Sequence, residues 1–308
     1  LKPGSSIAVQ LVRGDIDISA IGTMTYREGN HILGFGHPFL LQGTSNYLLA
    51  SAYTHKMIDS VEMPFRIGSP VEVEGMITED RNAGIAGELD KSPNIIPVEA
   101  KVVDKDLGRE EEYQFQIIQN EELILDLTAA TLLQAVDGTI DRQGKGTARV
   151  ELEIMGSKLP GGEITKQNLY YSDNDIASAA LTDTLQGLDL VVNNPFKEVN
   201  ISGIQFNLEV EETTDVGLIE EVNLNKEQVR PGEELTAKVM IRPYRGEVRE
   251  EEITLTVPKE AQPGVIGLQV LSGREANLDE AIVAQQQEDQ HPGRTEQIEN
   301  LQELARVF

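Results

Sequence analysis

Short runs in which apolar and polar residues alternate recur along most of the chain, and this period of two restricts the possible folds more than any other feature. Residues 7–12, 113–118 and 149–154 are examples. Successive side chains of a strand point to opposite faces of a sheet, so each run is typical of a half-buried strand. The sequence therefore predicts a mainly β fold with a few helices.

Spacings of three and four residues between apolar positions interrupt this pattern at three places. They predict helices over 47–58, 123–136 and 173–188. We expect a first β-rich domain over residues 1–155 and a connecting α/β segment over 156–199.

Alternation returns in the second half of the chain. Residues 200–273 contain five or six short apolar-polar runs, with a Pro231-Gly232 turn before one of them. Such spacing is typical of an immunoglobulin-like β-sandwich, which needs about seven strands. Residues 274–308 are polar and predict a linker followed by a short helix.

The composition excludes several classes of function. The chain has 308 residues, with 52 Asp and Glu against 26 Lys and Arg, and a formal net charge of −26. Binding of nucleic acid or of anionic membranes needs clustered cations, so neither is expected. The absence of cysteine excludes disulfides and thiolate metal sites.

Cofactor and membrane signals are also weak in the sequence. The four histidines show none of the usual close ligand spacings, and there is no glycine-rich phosphate loop. We therefore expect no metal and no cofactor. No apolar run approaches the roughly 20 residues that a membrane span requires, so no membrane span is expected within this sequence.

One histidine lies where it could act in chemistry. Gly34-Phe35-Gly36-His37-Pro38 follows a predicted hairpin whose first strand ends at Tyr26. The glycines permit unusual backbone angles, and Pro38 biases His37 toward an extended conformation. The His37 imidazole would then lie at a fixed, open strand end, which suits a general base. A purely structural histidine is the commoner alternative.

Several motifs resemble the SpoIVB-type serine peptidase family. They are the run from Ala20 to Tyr26 followed by Gly36-His37, and later Gly84-Ile85-Ala86-Gly87 with Ile96-Pro97-Val98. Relatives outside sporulation are more similar, because they share runs at 65–70 and 78–81. The match covers about residues 3–100. The resemblance implies a chymotrypsin-like β-barrel, export to the cell envelope, and a catalytic histidine at His37 that acts with a later aspartate and serine.

The serine loop of that family, Gly-Met-Ser-Gly-Ser-Pro, does not carry over. Its expected place is 137–147, where glycines remain but no serine is present. Ser69 lies in a Gly-Ser-Pro run, but it precedes the Gly-Ile-Ala-Gly element instead of following it. Ser45 follows His37, yet it also fits a helix N-cap. Thr147 lies in the right region but lacks the free N-terminal amine on which a threonine nucleophile usually depends.

Three functional hypotheses remain open at this stage. The chain is a SpoIVB-peptidase-like protein that has lost its nucleophile and serves as a binding or assembly module for proteins or peptides. Alternatively, it is an active secreted serine endopeptidase with His37 as general base. A third hypothesis is an extracellular homo-oligomer or homopolymer built through exposed strand edges. Because the sequence begins at Leu1 without a methionine, we expect a signal or anchor upstream and a secreted or envelope location.

Overall fold

β-Strands dominate the chain, which confirms the prediction of a mainly β protein. The computed structural model describes residues 1–59, 62, 65–261, 263–265, 267–271, 300–302 and 305. These residues contain fourteen strands and three α-helices.

The first six strands close into an antiparallel barrel. They pair in the order β1-β2-β3-β6-β5-β4, and β4 pairs again with β1, which completes the ring. Strands β4, β5 and β6 follow one another, and β3 lies beside β6, as in a Greek key. Apolar side chains from all six strands fill the interior. The strands are β1 Ser6–Gly14, β2 Ile18–Glu28, β3 His31–Gly34, β4 Gly43–Ile58, β5 Phe65–Arg81 and β6 Gly84–Leu89.

Five further strands continue the sheet beyond the barrel. They pair in the order β8-β7-β11-β9-β10, and β8 joins β1 at Val12–Gly14. Within this extension β11 runs parallel to β7, and its other neighbour, β9, is antiparallel. The strands are β7 Ile95–Asp104, β8 Arg109–Ile118, β9 Gly146–Gly156, β10 Glu163–Ser172 and β11 Ile201–Glu211.

Three helices pack on this open part of the sheet. Helix α1 contacts β7 and β8, whereas α2 and α3 contact β9 and β10. The side chain of Asp175 caps α2 by accepting a hydrogen bond from the Ser178 amide at 3.0 Å. The helices, α1 Ile124–Ile140, α2 Ile176–Ala180 and α3 Thr182–Val192, confirm the helical predictions over 123–136 and 173–188.

The helix predicted over 47–58 is wrong, because these residues belong to strand β4. The pairing of β4 with β5 shifts register four times between Thr44 and Lys56. Each β-bulge adds a residue and moves the following side chains to the opposite face. The bulges therefore break the period of two and imitate helical spacing.

The described residues form two compact units. The first comprises residues 1–212 with the described residues from 300 onward, and the second begins at Thr213. The segment 156–199, expected as a connection, supplies β10, α2 and α3 of the first unit. The boundary expected at 200 also lies later in the chain, because β11 is hydrogen-bonded between β7 and β9.

The second unit contains a three-stranded antiparallel sheet in the order β12-β13-β14. A sandwich was expected over 200–273, but β11 belongs to the large sheet, so the described residues of the second unit supply only these three strands. The linker and helix expected over 274–308 lie almost wholly outside the described residues. The strands are β12 Gly217–Leu224, β13 Glu234–Pro243 and β14 Arg249–Thr256.

Candidate functional site

The loop that carries His37 joins β3 to β4 at one end of the barrel. Two of its non-glycine residues have left-handed backbone angles, with φ of 68° at Phe35 and 61° at Leu41. Such angles are unfavourable for these side chains unless surrounding contacts hold them. Contacts at this end of the barrel must therefore hold the loop in its conformation.

A buried carboxylate holds this loop in place. The Asp80 side chain is completely buried and accepts hydrogen bonds from three consecutive backbone amides. Its Oδ1 accepts from the Phe39 N–H at 2.8 Å, and its Oδ2 accepts from the amides of Leu40 and Leu41 at 2.6 and 2.8 Å. Hydrogen bonds to an ionised group are stronger than neutral ones, so Asp80 fixes the chain directly after His37.

The His37 ring is exposed, and its one hydrogen bond is local. Its Nδ1 donates to the carbonyl oxygen of Pro38 at 2.7 Å, which leaves Nε2 as the free acceptor of the neutral ring. Among the residues that the structure describes, no serine or threonine hydroxyl is hydrogen-bonded to His37. The ring thus has the free nitrogen of a general base without a nucleophile to activate.

Aromatic rings connect His37 to the barrel core. The ring centroids of His37 and Phe35 are 5.5 Å apart, those of Phe35 and Phe39 6.3 Å, and those of Phe39 and Tyr47 5.8 Å. Burial raises the pKa of the Tyr47 phenol far above its usual range, and the carboxylates of Asp80 and Glu122 raise it further. Tyr47 is therefore a neutral hydrogen-bond donor in the folded protein.

Ser45 lies on β4 instead of at the N-terminus of a helix. Its side chain is buried, and its hydroxyl has no hydrogen-bond partner among the described residues. It follows the loop that Asp80 holds, at the register shift between Thr44 and Tyr47. The structure does not bring its hydroxyl to His37.

Ser69 has a histidine partner that the sequence did not indicate. Its hydroxyl is hydrogen-bonded to Nε2 of His55 at 2.9 Å, and the His55 ring lies 5.1 Å from that of Tyr53. The β4–β5 register places Ser69 directly opposite Tyr53, and the bulge at His55 turns this ring toward the same pair. Because 47–58 was expected to be helical, sequence reasoning could not bring β4 and Ser69 together.

Thr147 lies far from His37 in the sheet. It is a buried residue of β9, opposite Tyr171 of β10 and Glu211 of β11. Five strands separate β9 from β3 in the strand order. The region in which the family's serine loop was expected thus belongs to the far part of the sheet, and the structure does not join it to His37.

The outer halves of β4 and β5 form a two-stranded arm, which we define as residues 52–58 and 65–72. Beyond Ser51, β4 is no longer paired with β1, and β5 pairs with β6 only from Gly75 onward. Five large apolar side chains of the arm are between 46% and 69% exposed: Tyr53, Met57, Phe65, Ile67 and Val71.

Comparisons of the chain with protein-family models, with curated proteins and with solved structures found no match. The described residues contain no group of three or more acidic or histidine side chains arranged to hold a metal ion. No helix of the described part is long and apolar enough to cross a membrane. The histidine loop and the arm are therefore the two features of the described residues that bear on function.

Proposed function

We propose that this chain is a non-catalytic relative of the SpoIVB-type peptidases that binds extended protein segments through its β4–β5 arm at the cell envelope. The five exposed apolar side chains of the arm carry the proposal. The register puts Tyr53, Phe65 and Ile67 on one side of the arm, and exposed apolar side chains that gather on one side of an element mark interaction sites in soluble proteins. Extended peptides commonly bind at unpaired strand edges, and both strands of the arm have one.

The histidine loop supports a role without catalysis. A serine peptidase needs a hydroxyl beside its base and donors for the oxyanion. Among the described residues, neither Ser45 nor Thr147 is hydrogen-bonded to His37, and the hydroxyl of Ser69 is bonded to a different histidine. The closed barrel fits the chymotrypsin-like architecture that the resemblance implies, and the same resemblance supports export.

Binding to a permanently unfolded protein tests this proposal. Carboxymethylated, fluorescein-labelled casein should bind the full chain, with saturable anisotropy. The double variant Phe65→Ser/Ile67→Ser should weaken binding at least tenfold, because it removes two exposed apolar contacts. Leu169→Ser, at a similarly exposed apolar position on β10, is the matched control and should bind like the wild type. Equal binding by all three proteins would exclude the arm as the binding site.

A serine hydrolase that uses Ser69 and His55 is the second candidate, and the 2.9 Å contact between them favours it. A fluorophosphonate probe would label Ser69 if His55 activated it. We expect no labelling, since Ser69 lies in the β4–β5 ladder and its exposed histidine has no carboxylate partner among the described residues. Labelling that disappears in both Ser69→Ala and His55→Ala would replace the binding proposal with this one.

A further inference from the structure

A cleft opens where strand β1 changes neighbours. Residues 7–10 of β1 pair with β4 and residues 12–14 pair with β8, while β2 occupies the other edge of β1 up to Val12. The sheet therefore forks at Leu11, and a cleft of about 600 Å³ lies at this fork. Clefts that bind ligands typically measure about 300–1,000 Å³, so this one is large enough to hold a ligand.

One wall of this cleft is the inner end of the arm. Pro70, Val71 and Glu72 line the cleft and also belong to the arm, and the Val71 side chain is 69% exposed. The opposite wall comes from β7 and β8, at residues 97–99 and 114–116. A peptide segment that lies along the arm strand β5 can therefore reach the cleft without leaving that strand.

Arg13 supplies a cation to this cleft. Its Nε donates a hydrogen bond to Oε1 of Gln116, its partner on β8, at 2.7 Å. Its two terminal nitrogens have neither a hydrogen bond nor an ion pair with any described residue, although the side chain is half-buried. A guanidinium holds five donors in a rigid planar fork that matches a carboxylate. Gln116 thus orients the fork and leaves the end that can bind a carboxylate free.

Two carboxylates restrict the ligand that this cation can accept. Glu72 and Glu99 also line the cleft, and neither is ion-paired with Arg13. Like charges brought together in a binding site are unfavourable, so a dianion such as a phosphate is repelled by both glutamates. A single carboxylate on an otherwise neutral segment meets less repulsion and can gain the two-pronged contact with Arg13.

We propose that the cleft at the β1 fork selects extended segments that carry a carboxylate, which Arg13 binds through its two terminal nitrogens. The apolar side chains of the same segment then lie on the arm. The carboxylate comes from an Asp or Glu side chain of the segment or from its C-terminus. This inference rests on the proposed function, for which it names the chemistry of the ligand.

Three fluorescein-labelled peptides test this proposal by anisotropy with the full chain, and all three share a central run of alternating Val and Ser. The first peptide has an amidated C-terminus and carries Asp near each end, because a segment can lie along β5 in either direction. The second has Asn in place of both Asp residues, and the third is the Asn peptide with a free C-terminal carboxylate. The wild type should bind the Asp peptide at least about tenfold more tightly than the amidated Asn peptide, since hydrogen bonds between charged groups are the strong ones.

Variants of Arg13 test its part in this preference. Arg13→Gln should bind the Asp peptide as weakly as the wild type binds the amidated Asn peptide. Arg13→Lys keeps the charge but not the planar fork, so it should keep only part of the preference. Arg149→Gln, which removes the same charge from an exposed position on β9, is the matched control and should keep all of it. Unchanged binding of the amidated Asn peptide by Arg13→Gln shows that this variant is folded.

The outcomes distinguish this inference from the proposed function. Equal binding of all three peptides by the wild type, or a preference that Arg13→Gln keeps, would overturn the inference, and weaker casein binding by Phe65→Ser/Ile67→Ser would still support the proposed function. A preference that depends on Arg13 but not on Phe65 and Ile67 would support the cleft and exclude the arm. An Arg13-dependent gain in the third peptide would identify the C-terminal carboxylate as a ligand, whereas a gain confined to the first would identify the side chain. Absence of binding by casein and by every peptide would overturn both proposals.

Discussion

The inner and outer halves of β4 and β5 share one hydrogen-bonded ladder but lie in opposite environments. In the inner half, Tyr47 is paired with Ile77 and Leu49 with Gly75, and the side chains of Tyr47, Leu49 and Ile77 are completely buried. In the outer half, Tyr53 and Ile67 are exposed although their backbone pairing is the same. Pairing of β4 with β5 therefore does not decide whether these side chains are buried. What decides it is whether each strand also pairs with a strand on its other side.

The difference arises where the neighbouring strands end. β1 pairs with β4 at residues 48–51, and β6 pairs with β5 from Gly75 to Arg81. Past these points neither strand of the hairpin has a second backbone-paired neighbour among the described residues. An isolated two-stranded hairpin is marginally stable in water. The arm therefore depends on the barrel for its structure and contributes little to the free energy of unfolding. The inner half is expected to govern stability, and the outer half association.

Truncation in the two halves should show this contrast most clearly. Leu49→Ala should lower the free energy of unfolding by about 2–5 kcal/mol, because it leaves a cavity in the barrel core. Ile67→Ala removes an exposed side chain and should change the free energy by about 0.5 kcal/mol or less. Urea unfolding followed by circular dichroism measures both. Similar losses at the two positions would show that the arm is part of the cooperative core.

Substitution of Asp80, which holds the histidine loop, should give the next largest change in the free energy of unfolding. Asp80→Asn replaces one acceptor oxygen by a donor facing backbone amides, so at least one buried N–H loses its partner. We expect a loss of about 1.5–3 kcal/mol in urea unfolding. Glu79→Gln is the matched control, because its ion pair with Arg81 is exposed and contributes about 0–1 kcal/mol. Equal losses would mean that the loop does not depend on the Asp80 carboxylate.

Local pattern predicted the strands well where the strands are regular. The period of two in 113–118 and 149–154 corresponds to β8 and β9, and the period near 3.6 in 123–136 corresponds to α1. It failed at 47–58, because bulges shift side chains between faces and no residue type marks them uniquely. The alternation over 201–211 predicts the strand β11, but the period alone does not say which sheet a strand joins.

Local sequence signals also predicted only part of the candidate site, because its other contacts depend on strand register. Gly36-His37-Pro38 indicated an exposed histidine after a hairpin, and the structure places it in the loop after β3. The contact of Ser69 with His55 depends on the register of two strands, one of which was expected to be a helix. The role of Asp80 was also missed, since nothing in the spacing of 41 residues indicates that its carboxylate binds the amide of Phe39.

The buried phenol of Tyr47 should make stability depend on pH in the alkaline range. Its pKa is raised in the folded chain by burial and by nearby carboxylates, against about 10 in the unfolded chain. The stabilisation is thus complete below pH 10 and is lost as the pH rises above it, when the unfolded phenol ionises first. Tyr47→Phe should lose about 1 kcal/mol at pH 7, through its hydrogen bond to Gln42, and should fall less steeply from pH 9 to 11. Parallel curves for wild type and variant would contradict this.

The smallest effect is expected at His37 itself, which lies on the loop that Asp80 holds but points to solvent. His37→Ala removes the bond from Nδ1 to the Pro38 carbonyl and a tilted ring contact with Phe35. The free energy of unfolding should change by about 0.5 kcal/mol or less, and casein binding should stay within twofold of the wild type. The three amides that Asp80 binds come after His37, so the loop keeps its shape without the imidazole. A loss in His37→Ala as large as that in Asp80→Asn would show that the imidazole, and not the buried carboxylate, holds this end of the barrel. Loss of casein binding with unchanged stability would instead move the binding site from the arm to the histidine loop.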